Sequence, residues 1–409
     1  MNLVMIPFHD WRKCAREGFR TRDAHWMEEF GRHPAVDKLL IVNRPLSLIE
    51  MTLFRRSRIT PGGQIVARNG NAVVSQMSEK TFVLDIFVPE LLRPIRLRRN
   101  WIPRVMEADG VSAAARWAMD RLDIADNEWS FLISQPIFVP LLQRNRDWPF
   151  SLDADDNLLK HPQYRSTPRL REYYDYCLAN ADAVFTNSVE NRDFFRNQRK
   201  DAIWISNGVN TDHFATGETR PLPADMIEMR RPIVGYTGHM QEMVDVEATI
   251  SVMRAFPDAS FVFVGRQLNS AWLKALWREP NCYYLGDKHY REMPSYLSAF
   301  NVCFIPYSRE RQHGGDPIKF YEYLAMGKPV VTTNIGGVSR FADYPQVRIT
   351  ETVAEFVEPL REFLGEIAAG RRLPTKPLPA ECEWRTKADT MLQIISDRLK
   401  ARRAAKEVA

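Results

Sequence analysis

Residues 316–333 read Asp316-Pro-Ile-Lys-Phe-Tyr-Glu-Tyr-Leu-Ala-Met-Gly-Lys-Pro-Val-Val-Thr-Thr333, a short helical run that passes directly into a β-branched one. Asp316 suits an N-cap, because its carboxylate can accept from the unpaired amides of a first turn, and Pro317 suits the first helical position. Gly327 supplies a left-handed cap and Pro329 forbids continuation. Val330-Val331-Thr332-Thr333 then predicts a strand covered on both faces, as in a parallel sheet. A helix tied this closely to a buried parallel strand commits the chain to an α/β fold. Lys319 and Glu322 stand three apart on one helix face. From spacing alone a surface ion pair is the commoner arrangement. The same spacing also describes a helix terminus that offers a cation to phosphate oxygens and a carboxylate to sugar hydroxyls.

The chain has 409 residues, 45% of them apolar, enough for two domains with separate cores. The balance of 56 basic against 51 acidic residues is too mild to argue for nucleic acid. No apolar run reaches the roughly 18 residues of a membrane span. The N-terminal Met-Asn-Leu-Val-Met-Ile-Pro-Phe-His-Asp lacks a basic leader and a small-residue cleavage site, so export is not expected. The cysteines, Cys14, Cys177, Cys282, Cys303 and Cys382, are odd in number and scattered, which fits reduced thiols in a cytoplasmic protein.

Leu3 to Phe8 predicts a first strand, with His9 at its tip where a doubly wound sheet places ligands. A helix over 22–30 and a strand over 36–42 complete one strand-helix-strand unit, without the Gly-x-Gly-x-x-Gly loop of a dinucleotide dehydrogenase. Short β-rich runs around Ile65, Ala72 and Thr81, separated by Pro61-Gly-Gly and Asn69-Gly-Asn, predict a hairpin inserted at about 49–104. Within it the stretch 93–104, from Arg93 through Arg96, Arg98 and Arg99 to Arg104, interleaves arginines with Leu, Ile and Trp101. That pattern suits the surface of an anionic membrane, and equally a solvated loop. Pro149-Phe-Ser-Leu-Asp-Ala-Asp-Asp156 predicts a strand that delivers three carboxylates to its end. Asp153-Ala-Asp155 also spells the Asp-x-Asp of metal-dependent transferases. In the second half, Ile233-Val-Gly-Tyr-Thr-Gly-His predicts a strand running into a turn where Gly238 admits a phosphate to backbone amides, with His239 beside it. Arg266 stands at the end of the strand 260–265.

Asp-Pro-x-Lys-x-Tyr-Glu-Tyr-Leu-Ala-x-Gly-Lys-Pro-Val-Val resembles the nucleotide-sugar signature of bacterial glycosyltransferases with the GT-B fold, in the broad family-4-like group 1. Asp316 stands where those relatives commonly carry Asn. The segment Asn207-Gly-Val-Asn-Thr-Asp-His-Phe214 resembles the one that closes the first GT-B domain, and the segment at Asp153 to Asp156 resembles a Tyr-Asp-x-x-Asp-Asp stretch of the same group. The resemblance implies two Rossmann-like domains facing across a cleft. It implies an acceptor-binding domain at 1–215, a linker at 216–225, a nucleotide-sugar domain at 226–382 and a last helix, 383–409, returning to the first domain. Lys319 would approach the diphosphate and Glu322 a ribose hydroxyl, with Gly238, His239, Arg266 and Asp316 around them. Asp153, Asp156 and His9 would stand at the transferred sugar and acceptor.

The implied function is metal-independent transfer of a hexosyl-type sugar from a UDP- or GDP-sugar, with no other cofactor. The acceptor would be a saccharide or polyprenyl-linked saccharide in envelope or exopolysaccharide biosynthesis, at the inner face of the membrane and without nucleic acid. Two alternatives stay open at this point: a metal-dependent GT-A type enzyme using Asp153 and Asp155, and a non-catalytic nucleotide-sugar-binding protein.

Overall fold

The computed structural model describes residues 1–125, 128–161, 163–199, 201–215, 220–312 and 314–408. The chain divides into two compact units, residues 1–205 with 387–409 and residues 206–386. Residues 206–215, expected to close the first domain, belong to the second unit. The reason is packing: Val209 and Phe214 are fully buried in its core, and the Val209 amide donates to the Cys382 carbonyl at 2.9 Å. Part of the expected linker, 216–219, lies outside the described residues, as does position 313 of the loop before Asp316. The last helix, Trp384–Val408, starts in the second unit and from Lys387 onward belongs to the first.

The first unit is built on β1 (Asn2–Ile6), β2 (Leu39–Val42), β3 (Leu46–Ser47), β4 (Gln64–Asn69), β5 (Ala72–Gln76), β6 (Thr81–Val88), β7 (Trp129–Ile133), β8 (Phe150–Ala154), β9 (Ala183–Thr186) and β10 (Ile203–Trp204). Their order is β10-β9-β8-β7-β1-β2-β6-β5-β4, with β3 also pairing β6. The central strands are parallel and buried on both faces, which is why Leu3, Val4, Met5 and Ile6 run without alternation. The chain order reverses between β7 and β1, so the carboxyl end of β1, where His9 stands, is the topological switch point of this sheet. The expected inserted hairpin is instead part of the sheet. β6 pairs parallel with β2, and β5 and β4 extend the edge antiparallel. The run at Thr81 looks like a hairpin arm in sequence because its turn partner is local, whereas β2, which fixes its place, is about forty residues earlier.

The second unit carries β11 (Ile233–Thr237), β12 (Ser260–Val264), β13 (Cys282–Tyr284), β14 (Val302–Ile305), β15 (Val330–Thr333) and β16 (Val347–Thr350), all parallel, in the order β13-β12-β11-β14-β15-β16. Its switch point lies between β11 and β14. The run Val330–Thr333 is fully buried, as a covered parallel strand requires. No helix among the described residues is long and apolar enough to cross a membrane.

Gly235, in the middle of β11, has no room for a side chain: a Cβ there would stand 2.1 Å from the buried Phe300 ring. Gly235→Ala is therefore expected to destabilise the second unit by roughly 1–3 kcal/mol, as overpacking does. A urea or thermal melt that matches wild type would refute this.

Candidate nucleotide-sugar site

The helix of the opening stretch spans Ile318–Ala325 and buries Phe320, Tyr321, Tyr323 and Leu324 against the second sheet. Lys319 and Glu322 are left on another face, and neither is spent on the other. Lys319 Nζ donates to Tyr307 Oη at 2.6 Å and lies 4.8 and 4.9 Å from the ring centroids of Tyr236 and Tyr307. Tyr236 Oη donates to the His239 carbonyl at 2.6 Å and is 2.8 Å from Tyr307 Oη. A phenol has one proton to give, so Tyr307 must donate to Tyr236. The direction of the whole chain follows: ammonium to Tyr307, Tyr307 to Tyr236, Tyr236 to the carbonyl in the turn after β11. Burial, together with the neighbouring phenol, pushes the Tyr236 hydroxyl well above its ordinary range, which keeps it a neutral donor. Among the described residues no carboxylate pairs with Lys319. Its charge and its two remaining N–H donors are thus available to an anion.

Tyr236 is on β11 and Tyr307 follows β14, so the ammonium is held at the switch point itself. Gly238 belongs to the same construction, for a different reason from the one expected. Its amide donates to the Val264 carbonyl at 2.8 Å and is already used. Its φ is +114°, and a Cβ would stand 2.6 Å from Lys319 Cε. Glycine here clears space for the lysine. Gly265, at φ +138°, lets the end of β12 approach the Gly238 carbonyl, which a Cβ would meet at 2.1 Å. His239 contributes its carbonyl to the chain described above. Arg266, just beyond Gly265, is exposed and makes no ion pair or hydrogen bond through its guanidinium among the described residues. Glu322 is buried, and its Oε1 accepts from Tyr290 Oη at 2.8 Å. Tyr290 in turn stacks on His213 with ring centroids 4.9 Å apart. Tyr307 and Tyr290 carry no motif that sequence reading could have used.

Asp316 departs from its expected role as helix cap. The residue before the helix is Pro317, and no side chain caps that end. The Asp316 carboxylate accepts instead from the Asn207 amide at 2.7 Å and from Tyr321 Oη at 2.8 Å. Arg340 donates to the same phenol at 2.6 Å and to Ser206 Oγ at 3.0 Å. An acidic residue is therefore accommodated because it ties the 206–214 segment to the start of the helix.

In the first unit the helix Arg22–Arg32 organises the candidates through its first two residues. Arg22 makes a bidentate pair with Asp153, Nε to Oδ2 and Nη2 to Oδ1, both 2.9 Å, and Trp26 Nε1 donates to the same carboxylate at 2.9 Å. Asp153 is 1% exposed. The expectation that it faces a sugar is thus corrected, since both oxygens are committed inside the fold. Asp155 accepts from Asn187 at 2.7 Å, so the two carboxylates of the Asp-x-Asp pair are held by different partners. Burial and the charge of half-buried Asp156 push the Asp155 carboxyl well above the usual carboxylate range. Asp23 accepts the His9 amide at 2.6 Å and faces His9 Nδ1 at 3.2 Å. Burial works against its ionisation, yet His9 and Thr21 hold its carboxyl at about 2. The imidazole is thereby fixed through Nδ1, leaving Nε2 for a ligand. Asp23 and Arg22 escaped sequence reading because neither belongs to a motif.

Asp153→Ala would strand a buried guanidinium and is expected to cost about 3–5 kcal/mol. A melt unchanged from wild type would contradict that role. Tyr307→Phe keeps the ring and removes the acceptor of the lysine. It should leave the melt nearly intact while weakening nucleoside diphosphate affinity about tenfold by calorimetry, in line with a charged hydrogen bond. Equal affinity would show that the phenol does not orient Lys319.

Residues 231–365, which contain this arrangement, match the family model described as Glycosyl transferases group 1. A putative teichuronic acid biosynthesis glycosyltransferase, TuaH, of Bacillus subtilis (strain 168) is 28% identical over 140 residues, covering 33% of this chain and 35% of that protein. The chain thus matches about a third of the length of that curated relative. Among solved structures, Anabaena Alr3699/HepE in complex with UDP-glucose aligns with TM-score 0.58 and 12% identity, over 98% of this chain and 99% of that one. The UDP-forming α,α-trehalose-phosphate synthase from Burkholderia xenovorans, in complex with glucose-6-phosphate, aligns with TM-score 0.62 and 11% identity, over 97% and 100%. At such identities the likeness is one of fold. Residues 231–365 are thus similar in sequence to group 1 of the glycosyl transferases, and nearly the whole chain shares the GT-B fold of these solved structures.

Proposed function

We propose that the protein transfers a sugar from a nucleotide-diphosphate sugar, UDP- or GDP-linked, to a saccharide or polyprenyl-linked saccharide in envelope or exopolysaccharide biosynthesis. The observation that carries this reading is Lys319, held at the switch point of the second sheet by neutral phenols, on one helix with a buried Glu322. Transfer requires stabilisation of a diphosphate as its charge grows, and a fixed cation in a site of low dielectric supplies it without reorganisation. Arg266 is the second cation available to the diphosphate, and Glu322, oriented by Tyr290, receives the ribose hydroxyls. The known partners of similar proteins agree in kind. Anabaena HepE is solved with UDP-glucose, and the Bacillus relative bears the name of a putative teichuronic acid biosynthesis glycosyltransferase.

In the first unit His9, steadied by Asp23, is the group assigned to the acceptor or transferred sugar, with Asp156 beside the same sheet end. Asp153 acts one step removed, fixing the helix that carries Asp23. The reading places the work in the cytoplasm at the inner membrane face, where a polyprenyl-linked acceptor resides.

Lys319→Ala should lower kcat/KM for the nucleotide-sugar about a hundredfold or more, the scale of losing one preorganised group on a developing charge. Glu322→Ala should act mainly on KM, by about tenfold. Assay is by release of nucleoside diphosphate from UDP- and GDP-sugars, and wild-type turnover in both variants would sink the assignment.

A further inference from the structure

Two basic stretches of the first unit, 53–58 and 91–99, are exposed and are both carried at the end of β6, although about thirty residues separate them. The helix Leu48–Thr52 ends at Leu53 and Phe54, and the short helix Leu92–Leu97 is preceded by Leu91. Leu92, Leu53 and Phe54 are the three most exposed large apolar side chains among the described residues, at 74%, 71% and 67%. Leu91 and Ile95 are exposed beside Leu92. Both stretches are anchored to the end of β6. Leu46 and Ser47 pair with Phe87 and Val88, and the Leu48 amide donates to the Glu90 carbonyl at 3.1 Å. The Arg58 guanidinium lies 5.1 Å from the Phe87 ring centroid.

Residues 53–58 and 91–99 hold seven arginines and no acidic residue. Among the described residues Arg55, Arg96, Arg98 and Arg99 form no ion pair. The structure also trims the stretch 93–104 singled out by composition. Trp101, Pro103, Val105 and Met106 are buried, and Trp101 Nε1 donates to Glu90 at 2.8 Å. The outward part therefore ends near Arg99 and gains residues 53–56, a partner that composition did not connect to it.

We infer that Leu53, Phe54, Leu91, Leu92 and Ile95 insert into the interfacial layer of an anionic bilayer, with the surrounding arginines on the lipid phosphates. This rests on, and makes specific, the membrane-face location proposed above. Apolar tips ringed by arginines match such an interface in both respects, and each cation near an anionic surface strengthens binding about fivefold. A second copy of the chain does not fit, because a twofold contact would set like charges against each other.

The experiment is co-sedimentation of the full chain with phosphatidylcholine vesicles, alone or with about one-third phosphatidylglycerol. Wild type should bind the anionic vesicles and release in high salt. Substituting Arg96, Arg98 and Arg99 by Gln should weaken binding roughly a hundredfold. Phe54→Ser with Leu92→Ser, which leaves the charge alone, should weaken it at least about tenfold. Both variants should release nucleoside diphosphate in solution at the wild-type rate. Indifference of wild type to anionic lipid, or unchanged binding by the serine pair, overturns the inference. So does loss of self-association, rather than of lipid binding, in that pair. Vesicle binding by a protein that turns over no nucleotide-sugar would instead sink the glycosyltransferase reading and leave this surface standing.

Discussion

A half-buried ammonium that pairs with no carboxylate among the described residues is the constraint around which the second unit is arranged. Its positive charge must be desolvated enough to act on an anion, yet held in one place by groups that do not cancel it. Phenols meet both conditions, since their oxygens accept and their rings present a negative face. Tyr236 on β11 and Tyr307 just after β14 do so from either side of the switch point, and the chain ends on the His239 carbonyl, so the position of Lys319 is tied to the turn after β11. The glycines follow from that choice: Gly238 leaves the volume the lysine fills, and Gly265 lets the neighbouring strand end close on the turn.

The same economy of charge explains Asp316. A carboxylate near the proposed phosphate site would oppose its ligand unless it were turned into the fold, and here Asp316 Oδ2 is turned onto the Asn207 amide and the Tyr321 phenol, itself bonded by Arg340. The contact spans 109 residues of sequence and locks the 206–214 segment to the start of the helix Ile318–Ala325. That segment resembles a domain-closing motif, but physically it is the first piece of the second unit.

How much could be read in advance follows from the range of each signal. The helix-to-strand stretch was legible because its punctuation by Pro317, Gly327 and Pro329 is local, and Lys319 with Glu322 because their spacing puts both on one face. The strands of the second sheet were legible as uninterrupted apolar runs. Tyr307 and Tyr290 were not, since a tyrosine that serves another side chain looks like any core aromatic. Asp153 was misplaced because its partner Arg22 lies 131 residues away, and an acidic strand end looks the same whether it faces solvent or a buried guanidinium. The edge strands were mistaken for an insertion because turn signals reveal which strands are neighbours in sequence and stay silent about the parallel partner.

In the first unit, sheet order connects the two surfaces the chain presents. β1, β2 and β6 are adjacent, and neighbouring strands lie about 4.8 Å apart, so the ends of β1 and β6 are separated by roughly 10 Å. His9 follows the first of these ends, and the apolar, arginine-bearing segments flank the last. Parallel strands must all release their chain on the same side, so the sugar contact proposed at β1 and the interfacial surface inferred at β6 open in the same direction. An acceptor that carries its saccharide on a lipid diphosphate has the same layout, with sugar and hydrocarbon separated by two phosphates. In the reading proposed above, the placing of β1 and β6 in one sheet therefore also sets how far the sugar contact stands from the inferred bilayer surface.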